Sequence, residues 1–183
     1  MLYNMFFVQL TILFLLLVIV GVVANHLRQI LINNSAPFFA SNKKIINRVI
    51  DEIEMQPGMT IYELGCGKAK FLKKLRKKYP EQNLKLVGIE NFIFPLTLLK
   101  IQNRIFQYNI QIRDEDIFQT DISEADVIYC FLNVEAMKKL KPKLLFQTKS
   151  GTKIISYQFS IPDTEPEKVI QHSPRNKIFI YQV

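Results

Sequence analysis

Ile61-Tyr62-Glu63-Leu64-Gly65-Cys66-Gly67-Lys68-Ala69-Lys70 is the stretch on which the reading of this chain turns. Met59 to Leu64 is an apolar, strand-like run with an acid near its end. Two glycines one residue apart follow, and then a helix-favouring segment from Lys68 to Tyr79. Strand, glycine turn and helix in that order place a ligand loop at the carboxyl end of a first parallel strand. The glycines let the backbone turn sharply and let a ligand approach with no Cβ in the way. The first N–H groups of the helix lack partners inside it and can receive an anionic group.

Toward the N-terminus, Phe6 to Ala24 reads FFVQLTILFLLLVIVGVVA, interrupted only by Gln9 and Thr11. As a helix it would span about 28 Å, close to the hydrocarbon thickness of a bilayer. No Lys or Arg precedes it, whereas Arg28, Lys43, Lys44 and Arg48 follow. That asymmetry predicts a single-pass membrane anchor with the rest of the chain in the cytoplasm. A cleaved signal peptide ending at Val22-Val23-Ala24 is the rival; it lacks the basic start and its apolar stretch is long for that role. The expected organisation is an anchor with a juxtamembrane helix over residues 1–34, breaking near Asn33-Asn34-Ser35, and one domain over 35–183.

Beyond the loop, period and punctuation give alternating elements. Ser41 or Asn42 caps a helix to about Glu54, with Ile45, Ile46, Val49, Ile50 and Ile53 on one face. Strands are predicted at 60–64, 84–89, 110–113, 125–132 and 152–159, with a last one at 177–183. Helices are predicted at 68–79, 94–108 and 134–147, the last kinked at Pro142. The stretch 160–176 reads as a polar connection. Such alternation means an α/β fold: a Rossmann-like open, mostly parallel sheet with an antiparallel edge strand, preceded by one N-terminal transmembrane helix. The formal charge of +8 lies wholly from Arg28 onward. It favours anionic partners, though lysines that merely solvate helix faces explain it equally well. Two cysteines, Cys66 and Cys130, form neither a disulfide framework nor a metal-ligand spacing, and no metal is expected.

The dinucleotide fingerprint G-x-G-x-x-G needs its third glycine where Lys70 stands. A nicotinamide-dependent oxidoreductase is therefore disfavoured. What the residues do spell is E-x-G-x-G-x-A: Glu63, Gly65, Gly67 and Ala69. Glu90 ends the second strand, Asp116-Ile117-Phe118 follows the third, and Phe131-Leu132-Asn133 follows the fourth.

In these residues the sequence resembles the class I S-adenosylmethionine-dependent methyltransferases. The stretches Pro37-Phe38-Phe39-Ala40-Ser41, 137–144 and 151–162 resemble more narrowly the small membrane-anchored protein-lysine methyltransferases that act on the ATP synthase c-subunit and the adenine nucleotide translocase. The resemblance implies S-adenosylmethionine as cofactor. It implies that Glu63 holds the methionyl amino group, directly or through water, and that backbone N–H groups around Gly65, Cys66, Gly67 and Lys68 receive the carboxylate. Glu90 would take the ribose hydroxyls, Asp116 the adenine amine and Ile117 the adenine ring, while Phe131 would wall the methyl group. Asp114 and Glu115 crowd the same loop as Asp116 and stay open as alternatives. Ala40, Ala69 and Val134 depart from the family pattern, which has proline, glycine and proline there. Each site residue also has a plainer reading: a strand-to-helix turn for Glu63 and the glycines, a solvated strand end for Glu90, a core aromatic for Phe131.

No residue announces itself as a general base, and neither His26 nor His172 lies near a strand end. The acid-P-P-aromatic motif of methyltransferases acting on nucleobases is absent after the fourth strand. The expected partners are a protein acceptor at the membrane and an anionic lipid surface, not nucleic acid. A rival of another class stays open: a non-catalytic, cofactor-binding module that scaffolds a membrane complex.

Overall fold

A computed structural model describes residues 2–33, 43–173 and 176–183. The expected Pro37–Ser41 motif, the break at Asn34-Ser35 and the cap at Ser41 or Asn42 lie outside the described residues. The chain divides into two compact units, Met1–Pro37 and Phe38–Val183.

The first unit is one helix, α1 (Leu2–Asn33). Its window Phe7–Ala24 has a mean hydropathy of 2.9 and none of it is buried. By length and composition this helix can cross a membrane; a signal sequence has the same properties. Thr11 donates its hydroxyl to the Phe7 carbonyl (2.8 Å), so its one hydroxyl donor is satisfied within the helix.

The second unit runs α2 (Lys43–Asp51), β1 (Thr60–Leu64), α3 (Lys70–Lys78), β2 (Lys85–Ile89), α4 (Ile93–Ile105), β3 (Ile110–Arg113), β4 (Val127–Cys130), α5 (Val134–Phe146), β5 (Lys153–Tyr157), β6 (Lys168–Ser173) and β7 (Asn176–Gln182). The seven strands form one sheet in the order β3-β2-β1-β4-β5-β7-β6. The first five are parallel, and β7 runs antiparallel to both β5 and β6. Strand order reverses between β1 and β4, which puts the crevice for a ligand at the carboxyl ends of these two strands.

The sheet is covered on both faces. On one side Ile45, Ile46, Val49 and Ile50 of α2 join Phe71, Leu72 and Leu75 of α3 and Leu99 of α4. On the other, Met137, Leu140 and Leu144 of α5 pack on Val87, Ile128 and Ile154. Each such buried side chain contributes about 1.5–3 kcal/mol. Burial on both faces explains why β1 and β4 read as near-continuous apolar runs.

Two expectations are corrected. The stretch 160–176 is not only a connection, because it contains β6, and the last strand β7 is therefore internal, with β6 at the edge. A solvated edge strand carries no strict alternation, so its formation rests on pairing with β7 rather than on a pattern of its own. Helix α3 begins at Lys70 and not at Lys68, since Ala69 is left-handed (φ 47°) and ends the turn before the helix can start.

Candidate active site

The loop after β1 is built from positive φ. Gly65 stands at +68° and Gly67 at +50°. A Cβ on Gly65 would meet Leu132 Cδ2 at 3.0 Å, so any side chain there is both strained and crowded. Cys66 donates its N–H to the Ile89 carbonyl of β2 (2.9 Å), and Gly67 donates to Glu90 Oε2 (2.8 Å). The loop is thereby tied down to the end of the neighbouring strand. Gly88, inside β2, makes this closure fit, because a Cβ there would lie 2.9 Å from Cys66 Sγ. Sequence reading passed over Gly88, although a glycine inside an apolar strand signals a close approach. The N–H groups of Lys68 and Lys70 donate to no backbone carbonyl among the described residues. Lys70 opens α3, where orphan donors attract anions, and Lys68 stands in the turn before it.

Two buried carboxylates underlie this loop. Glu63, one residue from the end of β1, is 8% exposed and accepts a long bond from the Leu72 N–H (3.4 Å). Burial pushes its pKa up to about 8, against the lowering effect of that amide. Glu90 is 5% exposed and accepts from Asn91 N–H (3.0 Å) and Phe92 N–H (2.9 Å) as well as Gly67. Burial raises it too, and these three amides hold the rise down. Two carboxylate oxygens offer about four lone-pair sites, so one remains for a further donor such as a hydroxyl. The Cys66 thiol is raised well above its usual range by burial first, then by Glu63 and Glu90, and is therefore an inert packing group.

The structure gathers Glu63, Gly65, Cys66, Gly67 and Glu90 at the carboxyl ends of β1 and β2: Gly67 is bonded to Glu90, Cys66 to Ile89 of β2 and Glu63 to Leu72 of α3, and Leu132 stands against Gly65. Phe131 lies at the adjoining strand end and packs its ring on Tyr157 (centroids 4.6 Å apart). Asp116 is placed differently. Its Oδ1 accepts from the Phe118 N–H (2.9 Å) and its carbonyl from Gln119 and Thr120, so it shapes its own loop. Ile117 is half-buried against the α5 side of the core. Of the two neighbouring acids, Glu115 bonds the Thr120 hydroxyl, and Asp114 faces Lys100 at 3.9 Å. No described hydrogen bond links any of these three acids to the Glu63–Glu90 cluster.

Sequence reading also missed what surrounds Phe131. Asn133 caps α5 by accepting from the Ala136 N–H (2.8 Å). Beyond β5, Gln158 is held at φ 75°, and Val134, Gln158, Phe159, Ser160, Pro162, Lys177 and Phe179 line an open cleft of about 430 Å³. This cleft lies on the carboxyl rim at the β4–β5–β7 half, whereas the carboxylates lie at the β1–β2 half. The rim thus offers a charged half and a roomier, more apolar half. Free amides beside a buried carboxylate suit the two ends of an α-amino acid. S-adenosylmethionine, which carries such an amino-acid end and a ribose diol, fits this set of groups.

Comparison with known proteins agrees with that chemistry. Residues 63–168 match the family described as the ANTKMT methyltransferase domain. A protein-lysine N-methyltransferase of Saccharolobus islandicus is 26% identical over 150 residues, covering 80% of this chain and 93% of the relative. A carboxy-S-adenosyl-L-methionine synthase of Nautilia profundicola is 28% identical over 119 residues, covering 64% of this chain and 49% of the relative. Among solved structures, an RNA methyltransferase from Salinibacter ruber in complex with S-adenosyl-L-homocysteine superposes with a TM-score of 0.71 at 20% identity, covering 79% of this chain and 93% of that one. A ribosomal protein L11 methylase from Lactobacillus delbrueckii subsp. bulgaricus gives 0.63 at 12% identity, over 75% and 76%. At such identities the two structures speak for the fold. The matched family, which spans more than half of the chain, speaks for kinship: the chain belongs to the ANTKMT methyltransferase domain family and is an S-adenosylmethionine-dependent methyltransferase.

Proposed function

We propose that this protein transfers a methyl group to a lysine side chain of a protein at a membrane in which its own N-terminal helix is anchored. The observation that carries the reading is the Gly67–Glu90 bond at the carboxyl ends of β1 and β2, beside the switch point, where a glycine loop is tied directly to a buried acid. S-adenosylmethionine supplies an electrophilic methyl on a sulfonium. This chain's residues align, orient and exclude water. Glu63 receives the ammonium, and the N–H groups of Lys68 and Lys70 receive the carboxylate. Glu90 accepts from the ribose hydroxyls with its remaining lone pair. Asp116 and Ile117 take the adenine, for which the Asp116 carboxylate turns from its own loop, and Phe131 walls the methyl.

The lysine acceptor is supported by the Saccharolobus relative, whose length is almost wholly matched. The cleft after β5 is the room for it, and its lining of Val134, Phe159, Pro162 and Phe179 suits the methylene stem of a lysine. Such an acceptor must shed a proton from an ordinary pKa near ~10.4, and the like charge of Lys177 in the cleft lining favours the neutral amine. The span is read from α1, with the domain on the cytoplasmic side because Arg28, Lys43, Lys44 and Arg48 follow it. We place the anchor at 1–34 and the catalytic domain at 35–183.

The test uses the full chain in lipid nanodiscs. Calorimetric titration with S-adenosylhomocysteine should give one site per chain, and Gly65→Arg should abolish it. Incubation with labelled cofactor and membrane extract should yield methyllysine by mass spectrometry. Heat unchanged by Gly65→Arg would remove the cofactor assignment; binding with no methyllysine formed would remove the lysine acceptor.

A further inference from the structure

Helix α4 is apolar on the wrong side. Leu96 and Leu99 bury themselves against the sheet, as an amphipathic helix requires. Yet Ile93 (63% exposed), Ile101 (51%) and Ile105 (66%) recur at helical spacing along the opposite, outward face, and Phe106 (61%), just past the helix end, is exposed beside Tyr108. Neither α4 nor α3 contains an acid. A row of large aliphatic residues on the outside of a helix marks an interaction surface, because water alone would select against it.

What flanks the row says what covers it. On one side stand Lys100 and Arg104 of α4 itself, with Lys100 near Asp114 at 3.9 Å. On the other side lies α3, joined to α4 where Lys73 Nζ donates to Gln102 Oε1 (2.7 Å) and where Lys73 and Lys77 lie over the Tyr108 ring. The outward face of α3 carries Lys70, Lys74 and Lys77, and among the described residues only Lys78 of this helix forms an ion pair, with Asp51 at 2.9 Å. A hollow of about 360 Å³ between α2 and α3, lined by Asn47, Asp51, Lys74, Lys77 and Lys78, adds room beside these cations for an anionic group. An apolar stripe bordered by cations on both sides is the pattern of a helix lying in a membrane interface, where acyl chains meet the stripe and anionic headgroups meet the lysines.

We infer that the α3–α4 face docks on an anionic lipid surface, with Ile93, Ile101, Ile105 and Phe106 entering the interface and Lys70, Lys74 and Lys77 bonded to headgroup phosphates. The inference rests on the proposed membrane anchoring and deepens it. Helix α4 starts three residues after Glu90, so its Ile93 end shares the rim with the cofactor loop. Docking therefore sets that rim at the lipid surface, where an acceptor lysine of a membrane protein would emerge.

Docking is tested on the full chain in vesicles that carry nitroxide-labelled lipid. The native cysteines are buried, so a fluorophore on Ile101→Cys reports α4 alone. Val169→Cys on β6 serves as the solvent control, and Leu16→Cys in α1 reports the span itself. With phosphatidylglycerol present, the Ile101 label should be quenched several-fold more than the Val169 label. It should lose that quenching in pure phosphatidylcholine, at high salt, or after Lys70→Glu with Lys77→Glu, since one lysine near an anionic surface is worth about fivefold in partition. Quenching at Leu16 without any at Ile101 overturns docking and leaves the anchor standing. No quenching at Leu16 overturns the anchor. An Ile101 label that stays unquenched in pure lipid but is immobilised in native membranes, or that couples to a second label on another copy, assigns the face to a protein or to self-association and overturns the lipid assignment.

Discussion

Glu63 and Ala69 hold the site's tension in single residues. Glu63 is neutral in the folded chain up to a pKa of about 8, against an ordinary value of 4.5. Its folded value is the raised one, so the stability it lends is fully present below pH 4.5 and is lost as pH rises toward 8. Glu90, raised as well, adds in the same direction. In that window the unfolding free energy of the ligand-free protein should fall by an amount approaching about 1.4 kcal/mol per pH unit, and Glu63→Gln should flatten the profile, as denaturant titrations at stepped pH will record. A bound ammonium partner favours the ionised carboxylate. Calorimetry at pH 7 in buffers of different ionisation enthalpy should therefore detect proton release on binding of S-adenosylhomocysteine, and Glu63→Gln should remove it. Ala69 carries a methyl at φ 47°, buried to 0% exposure. Left-handed strain costs about 1–2 kcal/mol, while the buried methyl contributes about 0.8 kcal/mol and a glycine loosens the unfolded chain. The terms nearly cancel, so Ala69→Gly should shift stability by less than about 1 kcal/mol, whereas Ala69→Val, β-branched and without space, should cost about 3 kcal/mol by thermal unfolding.

At the scale of elements, the contrast between β2 and α5 is instructive. Gly88 sits under Cys66 Sγ, so Gly88→Ala forces the loop away from β2 and puts the Gly67–Glu90 bond at risk. Its expected signature is a cofactor affinity loss of at least about tenfold, with a smaller fall in melting temperature, since the site is built on that closure. Pro142 lies inside α5, exposed, where it supplies no N–H to the Lys138 carbonyl. A helix-interior proline costs about 3 kcal/mol relative to alanine, of which about 1 kcal/mol returns through the stiffer unfolded chain. Pro142→Ala should therefore raise stability by about 1–2 kcal/mol without altering cofactor binding; a loss of stability would mean that the proline answers a packing need of α5. Both elements were readable as strand and helix, but neither local consequence was, because each depends on an atom from another segment.

For the whole molecule, the antiparallel end of the sheet decides whether the domain closes. Ile178, Ile180 and Tyr181 of β7 are buried, and the Tyr181 hydroxyl accepts from the Ile161 N–H at 2.8 Å. These three side chains amount to about 6 kcal/mol of burial, comparable with the entire stability of a domain. Removal of residues 168–183 should therefore give a chain without near-ultraviolet dichroism, not a shortened enzyme. The apolar N-terminal helix, the alternation of strands and helices, the first and third strands at their observed limits and the acid–glycine loop were all legible in the sequence. Each is a local property of period, of a missing Cβ or of an apolar run, and such properties act over a few neighbouring residues. The strand β6, the internal place of β7, the dependence of the loop on Gly88, the burial that raises Glu63 and the outward stripe on α4 were not. They arise from what distant segments bring against one another: a pairing partner, a sulfur atom, a dry environment or a helix face left without cover.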